Sequence, residues 1–214
     1  MSTESGCRKR LWAPVPGMIE LRMHIRSAAV AAFFLAAALA PAIAATSPTK
    51  LYNDRHGFTL RVPLRASVET DTQENGQLDL IPTAAVVVSL DPNEFKGTNL
   101  GDASVSVGVS NDPTIVAACQ AGQAAQGEKP AGMATLGGLK VTRFTFEDAG
   151  AGNRYASTVY RGVSGGNCYE LVEFLHWAAI ENFSPGAIKE FDRAKIESAL
   201  RTITRSFALS GRAL

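Results

Sequence analysis

Few residues beyond position 45 have the type and spacing to do chemistry. Cys119 and Cys168 are the two cysteines left once Cys7 of the N-terminal segment is set aside. Two cysteines without C-x-x-C spacing make a poor redox or zinc site, so they are expected to form a structural disulfide. Gly162-Val163-Ser164-Gly165-Gly166 matches G-x-S-x-G, the nucleophile elbow of hydrolases. An elbow needs a helix after its serine, whereas Cys168-Tyr169-Glu170-Leu171-Val172 reads as a strand. The one histidine downstream, His176, lies at the end of that same strand. The motif is therefore expected to be a hairpin tip.

Asp91-Pro92-Asn93-Glu94-Phe95-Lys96-Gly97, with Asp102, is a weak echo of a calcium loop, but Phe95 and Lys96 stand where a ligand and the obligatory glycine belong. His56 and His176 have no histidine or acid at i+4, so no metal is expected. Glu170 and Glu173 sit three apart on a predicted strand and must face opposite ways, Glu170 with Cys168 and Glu173 with Tyr169 and Leu171. They make no acid/base pair and are expected on solvated faces. No catalytic residue, cofactor or binding residue is assigned.

The elements that position these residues follow from periodicity. Phe58-Thr59-Leu60-Arg61-Val62 alternates apolar and polar and stops at Pro63. Asn75-Gly76 predicts a hairpin joining residues 68–70 to 78–80. Val86-Val87-Val88-Ser89-Leu90 reads as a strand covered on both faces, and Val105, Val107 and Val109 mark another. Asp112-Pro113 opens a short helix running to about Ala121. Residues 122–138, rich in Gly, Ala and Gln, read as loop, and an antiparallel meander follows over 140–146, 155–161 and 168–176. Ile188, Phe191, Ile196, Leu200 and Ile203 recur at helical spacing, in a helix capped by Ser184 or Asp192, with Phe207 closing the core behind it. The expected fold class is α+β: a mostly antiparallel sheet with a short helix after the central strands and a C-terminal amphipathic helix packed on it.

Two stretches carry a family resemblance. Tyr52-Asn53-Asp54-Arg55-His56-Gly57-Phe58-Thr59-Leu60-Arg61-Val62-Pro63 resembles the first strand of the PsbP-like α/β/α sandwiches, and the terminal helix followed by Ser206-Phe207 is similar to the way those domains end. The resemblance spans most of residues 50–209. It implies a PsbP-like sandwich that acts as an accessory or binding domain, with no catalytic residue to carry over. The 122–138 loop and the cysteine pair depart from that pattern.

The chain start bears on compartment. Arg26, a near-unbroken apolar run from Ala28 to Leu39, Pro41, and the small pair Ala42 and Ala44 read as a secretory signal peptide over residues 1–44, leaving 45–214 as a single globular domain. No cysteine stands directly after the small-residue site, so no lipid attachment, and no membrane anchor after cleavage, is expected. Met1, Met18 and Met23 all remain open as the translation start, and a start at Met23 would make residues 1–22 a non-native extension.

The 214-residue chain is 46% hydrophobic and 19% charged, an ordinary globular balance. Its net charge of +1 falls to −2 once the five basic and two acidic residues of positions 1–45 are removed. No Lys/Arg cluster follows, which sets nucleic acid aside. The expectation is an exported, periplasmic, non-catalytic envelope protein that binds another protein. A small-ligand or lipid carrier and an unrecognised enzyme are the alternatives. A partner surface would show as an exposed patch, a carrier as an enclosed apolar cavity, and an enzyme as titratable groups converging in a cleft.

Overall fold

Strict alternation builds the first strands. In the computed structural model, which describes residues 48–72 and 77–210, β2 (Phe58–Pro63) turns Phe58, Leu60 and Val62 fully inward. It pairs antiparallel with β1 (Thr49–Asn53) on one side and with β10 (Ala208–Leu209) on the other, a sheet of three strands. The two segments that carry the PsbP-like resemblance thus meet as neighbours.

The other seven strands form one antiparallel sheet in the order β3-β4-β5-β9-β8-β7-β6. They are β3 (Ser67–Thr72), β4 (Ala84–Ser89), β5 (Leu100–Ser110), β6 (Lys129–Leu136), β7 (Leu139–Gly150), β8 (Asn153–Ser164) and β9 (Asn167–Ala178). The expected meander is β7-β8-β9, each strand twelve residues long. Ser164 and Asn167 pair around Gly165-Gly166, both at positive φ, so the G-x-S-x-G match is a two-residue hairpin turn.

β9 is central and buried on both faces. On one face Tyr169, Leu171 and Leu175 pack with Ile196, Leu200 and Ile203 of α2 (Arg193–Arg205) and with the inward side of β2. Asp192 caps α2 by accepting from the Lys195 amide, and Phe207 closes this core. On the other face Cys168, Val172 and Phe174 pack with Leu78, Ile81 and α1 (Pro113–Gln120). Asp112 caps α1 by accepting from Thr114 and Ile115. All the described residues belong to the unit Ala45–Leu214.

Three expectations are corrected. The fold class is β-rich rather than a balanced α+β sandwich, with ten strands and two α-helices among the described residues. The cause is strand length: β5, β7, β8 and β9 run 11 or 12 residues each, and β6 to β9 follow one another through tight turns with no helix between them. Second, residues 129–136 are a strand rather than loop. The turn at Gly137-Gly138, both at positive φ, folds them onto β7, and ladder pairing overrides their weak strand composition. Third, β3 pairs with β4, Val68 opposite Val88, and residues 78–80 form no strand. The expected Asn75-Gly76 turn lies outside the described residues, as do the signal peptide and its Ala42 and Ala44.

Candidate functional site

The cysteine pair tethers an otherwise short helix. Cys119 near the end of α1 and Cys168 near the start of β9 form a disulfide across 49 residues, with α-carbons 6.0 Å apart, inside the second core.

Beside it lies a buried ion cluster that periodicity did not reveal. Arg161 and Glu170 are in register on β8 and β9, and both are buried. Arg161 Nε donates to Glu170 Oε1 at 2.9 Å; Nη1 and Nη2 donate to Glu128 Oε2 and Oε1 at 2.6 and 2.7 Å. Asp79 Oδ2 stands 3.7 Å from the guanidinium. Glu170 also accepts from the backbone amides of Leu80 and Ile81, both at 3.0 Å to Oε2. That explains why residues 78–81 are not a strand: their amides cradle a carboxylate, while Leu78 and Ile81 plug the core. The expectation of a solvated Glu170 is overturned. Three carboxylates share one guanidinium, so Asp79, desolvated and facing Glu128 and Glu170, is pushed up to about 6. With every Arg161 nitrogen occupied by the fold, the cluster is structural. Among the described residues no group of three or more His, Cys, Asp or Glu is placed to hold a metal.

The first face of the sheet carries a groove. α2 packs on β2, β5 and β9; on the same face of β6–β8, Leu136, Leu139, Val141, Ala156 and Tyr160 are buried in the first core, while Lys129, Thr145 and Glu147 are left exposed. Between α2 and these strands runs an open channel of about 340 Å³ whose wall on the α2 side is Arg193, Glu197, Leu200 and Arg201. Its floor contains a row set by strand register, Glu173 (β9), Thr158 (β8), Thr145 (β7) and Lys129 (β6), each directly opposite the next. Arg193 pairs with Glu147 of β7 at 2.6 Å and with Glu197 at 2.7 Å, and lies over the Trp177 ring. Arg201 pairs with Glu197 at 3.3 Å.

Glu173 is the unusual member. It is 6% exposed, and its Oε1 accepts from the Tyr160 hydroxyl at 3.1 Å. Burial pushes its carboxyl above the usual range, and Glu197 adds to this; the hydroxyls of Thr204 and Tyr160 and the charge of Arg201 pull the other way. Thr204 Oγ1 is itself buried and lacks a hydrogen bond of good geometry. The expectation that Glu170 and Glu173 face opposite ways is met, but neither lies on a solvated face. Parity alone could place them; it could not say that α2 and the 77–83 segment would cover them.

The remaining sequence candidates stand apart from the groove. Ser164 and His176 sit toward opposite ends of the β8–β9 ladder, and His176 Nε2 lies 3.0 Å from Asn153 Oδ1. His56 Nδ1 is 2.7 Å from Asp54 Oδ1 in the turn between β1 and β2. Asp91 accepts from the Asn93 amide and side chain in a short 3-10 turn.

No family model and no curated protein matches the chain. Among solved structures it is similar to LpqN of Mycobacterium tuberculosis, described as involved in cell envelope biogenesis, at 15% identity and a TM-score of 0.40 over 76% of this chain and 91% of that one. It is similar also to a protein of Bacteroides thetaiotaomicron VPI-5482, at 9% identity and a TM-score of 0.40 over 76% of this chain and 49% of that one. Neither likeness assigns this chain an activity.

Proposed function

We propose that this chain is an exported, non-catalytic envelope protein that binds another protein, and that the groove beside α2 is its binding surface. The observation that carries this reading is the floor row Glu173–Thr158–Thr145–Lys129 under a wall of charged side chains. Such a channel is open and lined by charged and hydroxyl-bearing side chains from four strands and α2, which suits a polar polypeptide segment. A lipid carrier would want apolar walls that enclose the ligand. Export is supported by the buried disulfide, which persists in an oxidising compartment.

The test is a photo-crosslinking amino acid at Lys129, the exposed end of the floor row, in the exported protein in intact cells. The expected product is an adduct with one envelope protein, mapped to a single segment of it. An adduct with lipid or a small molecule would replace this reading with a carrier, and turnover of a substrate by the purified domain would end the non-catalytic one.

A further inference from the structure

The groove contains three carboxylates, and two are already satisfied. Glu147 and Glu197 are ion-paired to Arg193, and Glu197 to Arg201 as well. Glu173 is the deepest of the three and, among the described residues, has no cation within ion-pair distance. Its neighbouring donors are two hydroxyls, Tyr160 at 3.1 Å and the less well aligned Thr204, although a carboxylate has room for about four. The nearest cation, Arg201, acts on Glu173 only from beyond ion-pair distance and is itself paired with Glu197, so the buried carboxylate gains from a cation that reaches it directly. The neighbouring α2 hydroxyl, Thr204, is likewise left without a well-formed bond.

We propose that Glu173 is the recognition point for a basic side chain, arginine or lysine, projecting from the partner's segment into the groove floor; this rests on the binding role proposed above. A long cationic side chain has the reach for a carboxylate at the bottom of an open channel. A guanidinium pairing with Glu173 would still have N–H groups to donate, and the Thr158 hydroxyl is the next group in the floor row. The charged groups facing Glu173 do not forbid a cation. Arg201 on α2 opposes it but is paired with Glu197, which favours it, and Tyr160 on β8 is influenced by Arg143 of β7. A desolvated carboxylate discriminates between a cation and its neutral isostere far more sharply than an exposed one does.

The test uses the oxidised mature protein and two probes, N-acetyl-arginine amide and its uncharged isostere N-acetyl-citrulline amide, titrated while backbone amide resonances are followed. Saturable shifts at Glu173, Thr158 and Tyr160 with the arginine probe only are expected, weakened about tenfold or more in Glu173→Gln. Because burial raises the Glu173 carboxyl, affinity in the native protein should climb as pH rises and the proton leaves, and this dependence should vanish in Glu173→Gln. Equal binding of both probes, or no loss in Glu173→Gln, overturns the inference. A melting temperature for Glu173→Gln at or above that of the parent shows that the variant folds. Crosslinking from Lys129 separates the two claims. An adduct undiminished in Glu173→Gln keeps the groove and overturns the role of Glu173, whereas an adduct absent from both proteins overturns the groove reading itself.

Discussion

Arg161 and Glu170 face one another across β8 and β9 with Nε 2.9 Å from Oε1, and neither side chain reaches solvent. The pair organises more than itself. Glu170 holds the amides of residues 80 and 81, and Arg161 holds Glu128 and the Gln123 carbonyl, so two segments of irregular chain are pinned to the sheet. Removing only the cation leaves buried carboxylates uncompensated. Arg161→Met is therefore expected to destabilise the domain by roughly 3–5 kcal/mol in urea unfolding. A loss below about 1 kcal/mol would mean that water reaches the cluster.

Asp79 makes stability depend on pH. Its carboxyl is raised from 3.8 to about 6 by burial and by Glu128 and Glu170. A raised carboxyl contributes stability in full below its unfolded value, and that contribution is lost as pH rises through the folded one. The domain should accordingly lose stability from this group between about pH 4 and pH 7. Asp79→Asn should flatten that slope and stabilise the protein at pH 8 by about 1 kcal/mol, a figure reduced because Asp79 is nearly half exposed and screened. Melting temperatures of both proteins at pH 5 and pH 8 provide the check, and an unchanged slope would count against a raised Asp79 carboxyl.

The elements that alternation or capping alone can specify were legible. Phe58, Leu60 and Val62 announced β2, Asp112-Pro113 announced α1, and the spacing of Ile196, Leu200 and Ile203 announced α2. What the sequence could not show was coverage. Residues 129–136 have the composition of a loop and become a strand because β7 offers them a ladder. Glu170 looks like any surface glutamate of a strand until the 77–83 segment folds over it. The groove is less visible still, because Thr145, Thr158 and Lys129 meet Glu173 only through the register of four strands.

The disulfide cross-links the end of α1 to the start of β9. Closing a loop of about 50 residues removes denatured-state entropy of on the order of 4 kcal/mol in the chain-entropy model. The double variant Cys119→Ala, Cys168→Ala should melt well below the parent and be cut sooner by protease. Binding at the groove should persist while the variant is folded, since the bridge lies in the core on the opposite face of the sheet. Two free thiols titrated in the protein as isolated from cells would remove the basis for this expectation.

The groove can be closed without disturbing the core. Thr145 is exposed at the middle of the floor row, with Thr158 and Lys129 as its cross-strand neighbours. A strand accepts an aromatic side chain readily, and surface substitutions of this kind usually change stability by no more than about 0.5 kcal/mol. Thr145→Trp should thus fold and melt like the parent while its indole occupies the channel, and the crosslink from Lys129 to the partner should disappear. Ser164→Ala, in the turn at the end of β8, serves as the control and should leave folding, crosslinking and partner capture unchanged. A full-strength adduct in Thr145→Trp would show that the partner sits elsewhere on the molecule; loss of the adduct in Ser164→Ala would show that the hairpin tip, rather than the floor row, makes the contact.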